Sequence, residues 1–274
     1  MGTALALSIG LLAGAHTSTW GMFKDAPHEG FTYGKYVRSI LLAAVVAIIT
    51  HRVTNLDLTN WSHAVVFFGM VYVIERAITE FWKTFLRVED QSKYFIPMQF
   101  HVKGAVVHDR KVQLLAGAGW LAAVLLIVYG ITWAQRNVSL PTWLVIVAIG
   151  GIGGWISAFG GAWKDAPLEG FETFKFFRSP GIAAFFALLL ACFTENWLYL
   201  ALAAEGYTVA SIETYKTFFH PNKPRGKWAG KPMPYEDMLK RRWKFVPIYV
   251  LVWVFIIAGF VLGYTGPHSG LLCR

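Results

Sequence analysis

The sequence predicts an all-α, polytopic membrane protein of about eight transmembrane helices, built as a tandem duplication of a four-helix unit. Three observations predict it. Of 274 residues, 55% are hydrophobic and 15% charged, against about 25% charged in an average soluble domain. Eight apolar stretches recur along the chain. One eighteen-residue phrase is written twice, FKDAPHEGFTYGKYVRSI at 23–40 and WKDAPLEGFETFKFFRSP at 163–180, 140 residues apart.

Crossing a hydrocarbon core takes about 20 apolar residues. The stretches that approach this are 3–23, 40–53, 61–82, 114–133, 142–163, 181–193, 197–215 and 246–264. The first resembles a signal peptide in length, but no basic residues precede it and its glycine spacing recurs later, so it is expected to be a retained helix. The second and sixth are short. They are expected to begin inside the aromatic-basic segments before them, or to be accommodated by tilt and local thinning.

Lysine and arginine give an independent reading of the same pattern. The loops 24–38, 83–111, 164–178 and 216–244 hold 3, 6, 3 and 9 of the 25, and only Arg52, Arg76, Arg136 and Arg274 fall elsewhere. By the positive-inside rule these four loops face the cytoplasm and both termini lie outside. With no targeting segment visible, the expected location is a bacterial inner membrane.

Beyond the doubled phrase, Gly10 and Gly14 align with Gly150 and Gly154, and Gly21 with Gly161. TNW at 59–61 aligns with ENW at 195–197, TEFWKTF at 79–85 with IETYKTF at 212–218, and Trp120 with Trp253. Ordered anchors of this kind divide one membrane domain into repeats 1–135 and 136–274. Four is even, so the repeats cross in the same sense, and their pseudo-two-fold axis is expected along the membrane normal. The GxxxG pairs allow close backbone approach. Either the first and fifth helices cross on that axis, or each packs against its own neighbour.

Within the doubled phrase, Asp25 and Asp165 suit helix N-caps, Pro27 and Pro167 suit a first turn, and Gly30 and Gly170 an exit. The remainder mixes aromatics with cations, an interfacial composition in which Lys35, Arg38, Lys175 and Arg178 reach lipid phosphate. Ser39 and Ser179 are placed to cap the next helix, with Pro180 at its first position. A device that turns the chain and returns it to the membrane accounts for most of these residues. The sharper alternative sets Asp25, Glu29, Asp165 and Glu169 around a cytoplasmic mouth, as a gate or cation site. Lys24 and Lys164 weaken that alternative, since they are available to pair with the acids. Glu80 with Lys83, and Glu213 with Lys216, have the three-residue spacing of a helical ion pair.

Ionisable residues also lie inside predicted spans, and there the repeats differ. These are His16 in the first, Glu75 and Arg76 in the third and Glu205 in the seventh. Such residues face a bundle interior or water and are the leading functional candidates. Glu75 and Arg76 are adjacent, so they point about 100° apart and need separate partners. His51 and His63, near the ends of two helices, admit a haem reading, but no paired spacing recurs; the cofactor and any metal stay unassigned. Cys192 and Cys273 suggest neither a disulfide framework nor a CxxC motif.

The long basic loops contain no P-loop, dinucleotide fingerprint or HExxH. Beside a membrane their cations attract anionic headgroups, at about 1 kcal/mol each, and nucleic acid is not the expected partner. Three function classes remain. The first is a channel or transporter moving a small ion or solute between the duplicated halves, with Glu205 and Glu75 carrying polar or proton-linked steps. The second is a non-catalytic accessory subunit of a larger membrane complex, or a homo-oligomer. The third is a lipid-phosphate enzyme at the cytoplasmic interface, which the presence of the full residue set in both repeats argues against. The balance leans away from an enzyme.

Overall fold

The computed structural model describes residues 1–222 and 224–273, apart from the side chain of Lys93. The chain begins with α1 (Gly2–Glu29), α2 (Tyr33–Thr54) and α3 (Trp61–Phe81), the last continued by a π-helical turn, Trp82–Leu86. A loop follows, carrying a small hairpin of β1 (His101–Val102) and β2 (Ala105–Val106), and leads to α4 (Arg110–Asn137). Next, α5 (Thr142–Leu144) and the π-helical turn Val145–Ile149 run into α6 (Ile152–Lys164). The remaining helices are α7 (Ala166–Glu169), α8 (Thr173–Leu190), α9 (Trp197–Phe218), α10 (Asp237–Arg241) and α11 (Val246–Thr265). Among the described residues, five stretches are long and apolar enough to cross a membrane: Tyr33–Thr54, Arg110–Asn137, Thr142–Lys164, Thr173–Leu190 and Asp237–Thr265. The chain has the build of an α-helical membrane protein.

α3 and α9 form the centre. They cross at Gly69 and Gly206, where a Cβ on Gly206 would lie 2.0 Å from the Gly69 carbonyl oxygen. Beside the crossing, Tyr207 donates to the Val65 carbonyl at 2.8 Å, and Phe67, Phe68, Leu200 and Ala203 are buried. α1 packs along α2, α6 along α8, and α11 against both α3 and α1. The GxxxG glycines serve the outer pairs. A Cβ on Gly14 would sit 2.5 Å from Ile40 Cα, and one on Gly154 would sit 2.6 Å from Pro180 Cα. Each motif therefore packs on its own neighbour, and the central crossing falls to Gly69 and Gly206, which no GxxxG spacing marks.

Several local expectations change. α2 starts at Tyr33, where the Thr32 side chain accepts from Lys35 N at 3.3 Å, and α8 starts at Thr173. The aromatic-basic segments are thus helical, and Ser39, Ser179 and Pro180 are buried interior positions rather than caps or a first turn. Asp25 is not an N-cap either, because α1 runs through it to Glu29 with Pro27 inside. Proline lacks the N–H that would bond the carbonyl four residues back. Here that carbonyl belongs to Phe23, and Arg242 takes it, Nη1 to O at 3.0 Å. The helix survives because a distant arginine fills the vacancy. In the second phrase the chain instead breaks at Asp165, which takes the N-cap position of α7 without a side-chain capping bond, and Pro167 sits in that helix's first turn as expected.

Cys192 and Cys273 are joined by a disulfide across 81 residues. The tail is fixed at the end of α8, with Leu272 N donating to Ala191 O at 3.0 Å and Leu271 N to Thr194 O at 3.3 Å. Two isolated cysteines with no spacing motif give no sign of this in sequence.

The two long basic loops cover the doubled phrases. The hairpin loop after α3 lies on the second doubled phrase, with Phe100 5.6 Å from Trp163 and Gly104 facing Pro167 and Leu168. The loop after α9 lies on the first, with Trp228 stacked on His28 at 4.3 Å and Tyr235 N donating to Pro27 O at 3.2 Å.

Candidate functional site

The ends of α1, α3, α6 and α9 converge beneath these loops, and charge collects there. Lys24 Nζ lies 2.5 Å from Glu213 Oε2, and Lys164 Nζ lies 2.9 Å from Glu80 Oε2. Arg76 adds a bond to Glu80 Oε1 at 2.5 Å. The three-residue pairs read from sequence are longer, 3.9 Å for Lys83–Glu80 and 3.8 Å for Lys216–Glu213. The three-residue spacing therefore found the more distant lysine of each glutamate. The nearer lysine comes from the doubled phrase in the other segment. The Trp20 ring carries two of these cations, Lys24 at 4.6 Å and Arg76 at 5.2 Å, a cation–π arrangement.

Deeper in the bundle the ionisable residues are buried and only partly satisfied. Tyr72 accepts from Trp20 Nε1 at 2.9 Å and shares a 3.0 Å bond with His16 Nδ1. The His16 ring stacks on Tyr249 at 4.3 Å, and its Nε2 has no partner. Glu75 Oε1 accepts from Thr79 at 2.9 Å, while its Oε2 is buried and unpartnered. Glu205 is bonded by Ser157 across the α6–α9 contact, and again Oε2 has no partner. Arg76 and Glu75 point to different neighbours, and Arg76 lies within electrostatic reach of Glu75, Glu80, Tyr72 and Glu213.

The acidic turns have their own chemistry. Asp25 Oδ1 accepts from Trp228 Nε1 at 2.6 Å and lies 4.0 Å from Lys227 Nζ. Burial works to raise its pKa, but Lys227, Lys24 and the Trp228 bond outweigh burial and lower it. Lys227 feels four carboxylates, Asp25, Glu29, Glu80 and Asp165, which overcome its own burial and raise its pKa. Glu29 is pushed the other way, upward, by burial and then by Asp25. Burial also raises Glu169, which has Lys175 at 3.9 Å and one oxygen unpartnered. No group of three or more His, Cys, Asp or Glu among the described residues is placed to hold a metal ion. Three acids of the doubled phrases, Asp25, Glu29 and Asp165, thus act together with Glu80 on a lysine of the chain itself.

Of the four cations expected at an interface, Arg38 lies 5.5 Å over the Trp82 ring, Lys175 bonds Glu172 at 2.9 Å, and Arg178 lies within reach of the Glu213 charge. Lys35 borders a cavity of about 190 Å³ beside Glu29. His51 lies against Gly2 and edge-on to Phe67, whereas His63 bonds the Asp57 carbonyl at 3.2 Å. Lys227 and Trp228 are the site residues that sequence reasoning missed, since nothing in a proline-punctuated loop signals which distant turn it will cover. No protein family, characterised protein or solved structure matches the chain.

Proposed function

We propose that the chain is a channel or transporter for a small ion or solute, closed on its cytoplasmic side by the reciprocal ion pairs Lys24–Glu213 and Lys164–Glu80. The reading takes residues 1–135 and 136–274 as parallel repeats with eight crossings and both termini outside, in a bacterial inner membrane. At 1.5 Å per residue, the 28, 21 and 22 residues of α1, α3 and α9 also suffice to cross a core about 30 Å thick. Duplication is supported by packing. Gly14 meets Ser39, Ile40 and Ala43, while Gly154 meets Ser179, Pro180 and Ala183 at the same offset. The orientation is supported by the Cys192–Cys273 bond, which lies away from the basic loops, because disulfides persist in oxidising compartments.

Reciprocal pairing is the observation that carries the reading. Buried ion pairs add little net stability over apolar packing of the same volume. One such pair, Lys24–Glu213, and its more exposed counterpart, Lys164–Glu80, are exchanged between segments at one end of the bundle, which suits a latch better than a permanent bond. Lys227 acts as a tethered cation among the mouth carboxylates, and Glu75, Glu205 and His16 offer polar stations beyond it. Proteoliposome flux of several cations and anions tests this. The Lys24→Gln, Lys164→Gln protein is expected to leak faster than wild type, and the Glu75→Gln, Glu205→Gln protein to conduct less. Absence of flux from both wild type and the latch variant would sink the reading.

A second reading, an accessory subunit of a larger complex, is favoured by one observation. α4 lies almost wholly at the surface, with 11% of its apolar window buried, and Phe159 and Trp163 on α6 are exposed. A stable co-purifying membrane partner, together with no flux, would select it.

A further inference from the structure

The seams that flank the central crossing are packed differently on its two sides. In the aligned sequence α6 matches α1 at an offset of 140, and α4 matches α11 at 133 through Trp120 and Trp253. On α1, His16, Thr19, Trp20 and Phe23 are buried, with the His16 ring 4.3 Å from Tyr249 and 5.6 Å from Trp253 on α11. Their counterparts on α6, Ile156, Phe159, Gly160 and Trp163, are all exposed. On the facing helices, Val252 and Ile256 of α11 are buried, whereas the matching Gly119 and Ala123 of α4 are exposed. A Cβ added to Gly119 or Gly160 would meet nothing within 4 Å. The α1–α11 seam is closed, and the matching α4–α6 seam is open.

The reasons lie at both ends of α6. Whereas α1 runs unbroken from Gly2 to Glu29, α6 starts only after a π-helical turn and the pair Gly150–Gly151, and it ends before Asp165. Glycines and π-helical turns are where helices bend. Close to this start α6 is tight on α9, where a Cβ on Gly153 would sit 2.4 Å from Glu205 Cβ. Its far end is held by Lys164–Glu80, a solvent-screened pair worth little. At the equivalent end of α1, Phe23 packs on Phe218 at 4.7 Å. The counterparts Trp163 and Phe85 each pack on Phe100 of the hairpin loop, both at 5.6 Å. α4 and α6 belong to stretches apolar enough to cross a membrane. In lipid an open apolar seam carries no hydrophobic penalty, so packing alone separates open from closed.

We infer that α6 is a lateral gate, which bends at Gly150–Gly151 to close its far end on α4, with Phe100 as the wedge that holds it open. The closed form has its pattern in the same chain. Ile156 comes to rest on Ala116 and Trp120, as His16 rests on Tyr249 and Trp253, and Trp163 meets Phe85. The residue correspondence rests on the duplication proposed above; closure does not depend on what is transported.

The full-length protein suits the test, because Cys192 and Cys273 are paired and introduced cysteines are the only free thiols. Spin labels on the Ile156→Cys, Gly119→Cys protein, both at exposed positions, report the width of the seam by pulsed electron resonance in nanodiscs. Two distance populations are expected, and Phe100→Ala should enlarge the shorter one. Labels on Trp143→Cys and Gly119→Cys should give a single distance, since Trp143 precedes the bend. A short bifunctional thiol reagent should join the cysteine at 156 to one at 119 but not to Leu121→Cys, which points about 160° away on α4. A single distance between 156 and 119 that Phe100→Ala leaves unchanged would overturn the gate, as would equal cross-linking to 119 and 121. Two distances from Trp143→Cys would overturn the bend. Flux is not read, so the gate and the transport reading stand or fall separately.

Discussion

Lys24 and Glu213, 189 residues apart, meet at 2.5 Å with side chains only 11% and 16% exposed. The exchanged pair, Lys164 and Glu80, meets at 2.9 Å with side chains 43% and 39% exposed. The residue types are the same but the surroundings are not, and screening by water divides their energies.

Removing the lysines one at a time should expose that difference. Lys24→Gln leaves Glu213 without its nearest cation in a largely buried place, a loss of about 3 kcal/mol. Lys164→Gln removes a solvent-screened contact, for about 0–1 kcal/mol. Thermal unfolding in detergent measures both, and Lys24→Glu with Glu213→Lys should recover part of the first loss. Equal losses would show that burial does not govern the pair.

Glycine substitutions should separate the central crossing from the periphery. Gly206→Ala drives a methyl into the Gly69 carbonyl, so α3 and α9 must part. Overpacking of this kind costs about 1–3 kcal/mol. Gly160→Ala meets nothing within 4 Å and should be neutral or slightly stabilising. Comparable melting temperatures for the two variants would contradict the crossing.

Arg242 and Pro27 should be energetically coupled, because Arg242 bonds the carbonyl that Pro27 cannot serve. Arg242→Gln is expected to destabilise the wild type more than the Pro27→Ala background, where the helix bonds Phe23 O itself. The coupling should be about 1 kcal/mol in a double-mutant cycle. Additive losses would mean that the second Arg242 bond, to Pro221 O at 2.6 Å, does all the stabilising.

Glu29 should make stability fall as pH rises. Burial, then Asp25, raise its pKa, while Lys227, Lys83 and Lys35 pull it back only partly. With the folded value above the unfolded one, the contribution is fully present below the ordinary glutamate pKa of about 4.3 and is lost as pH rises through the folded pKa. Glu29→Gln protein should therefore melt higher than wild type at neutral pH, with the gain vanishing in acid. A gain independent of pH would assign the effect to shape rather than charge.

The helices were largely legible in the sequence. α3, α9 and α11 begin at Trp61, Trp197 and Val246, where the apolar stretches begin. α2 and α8 extend seven or eight residues further back, because hydropathy discounts the lysines and arginines that an interfacial helix tolerates. The site was half legible. Glu80 and Glu213 stood out through helical spacing, but spacing reaches only one turn, and their nearest lysines lie 84 and 189 residues away. The N-cap reading of Asp25 failed for the same reason, since the arginine that keeps α1 intact past Pro27 comes from a loop 219 residues along.

The disulfide gives the bundle a fixed pivot. Cys192 precedes α9 and Cys273 follows α11, so the bond ties together the ends of two helices that both lie against α3. At the other end the same two helices are joined by the long loop after α9 and by the 2.6 Å hydrogen bond between Thr214 and Tyr249, while Lys24 ties α9 to α1 instead. A short sulfur staple and a long basic loop thus hold one pair of helices from opposite ends.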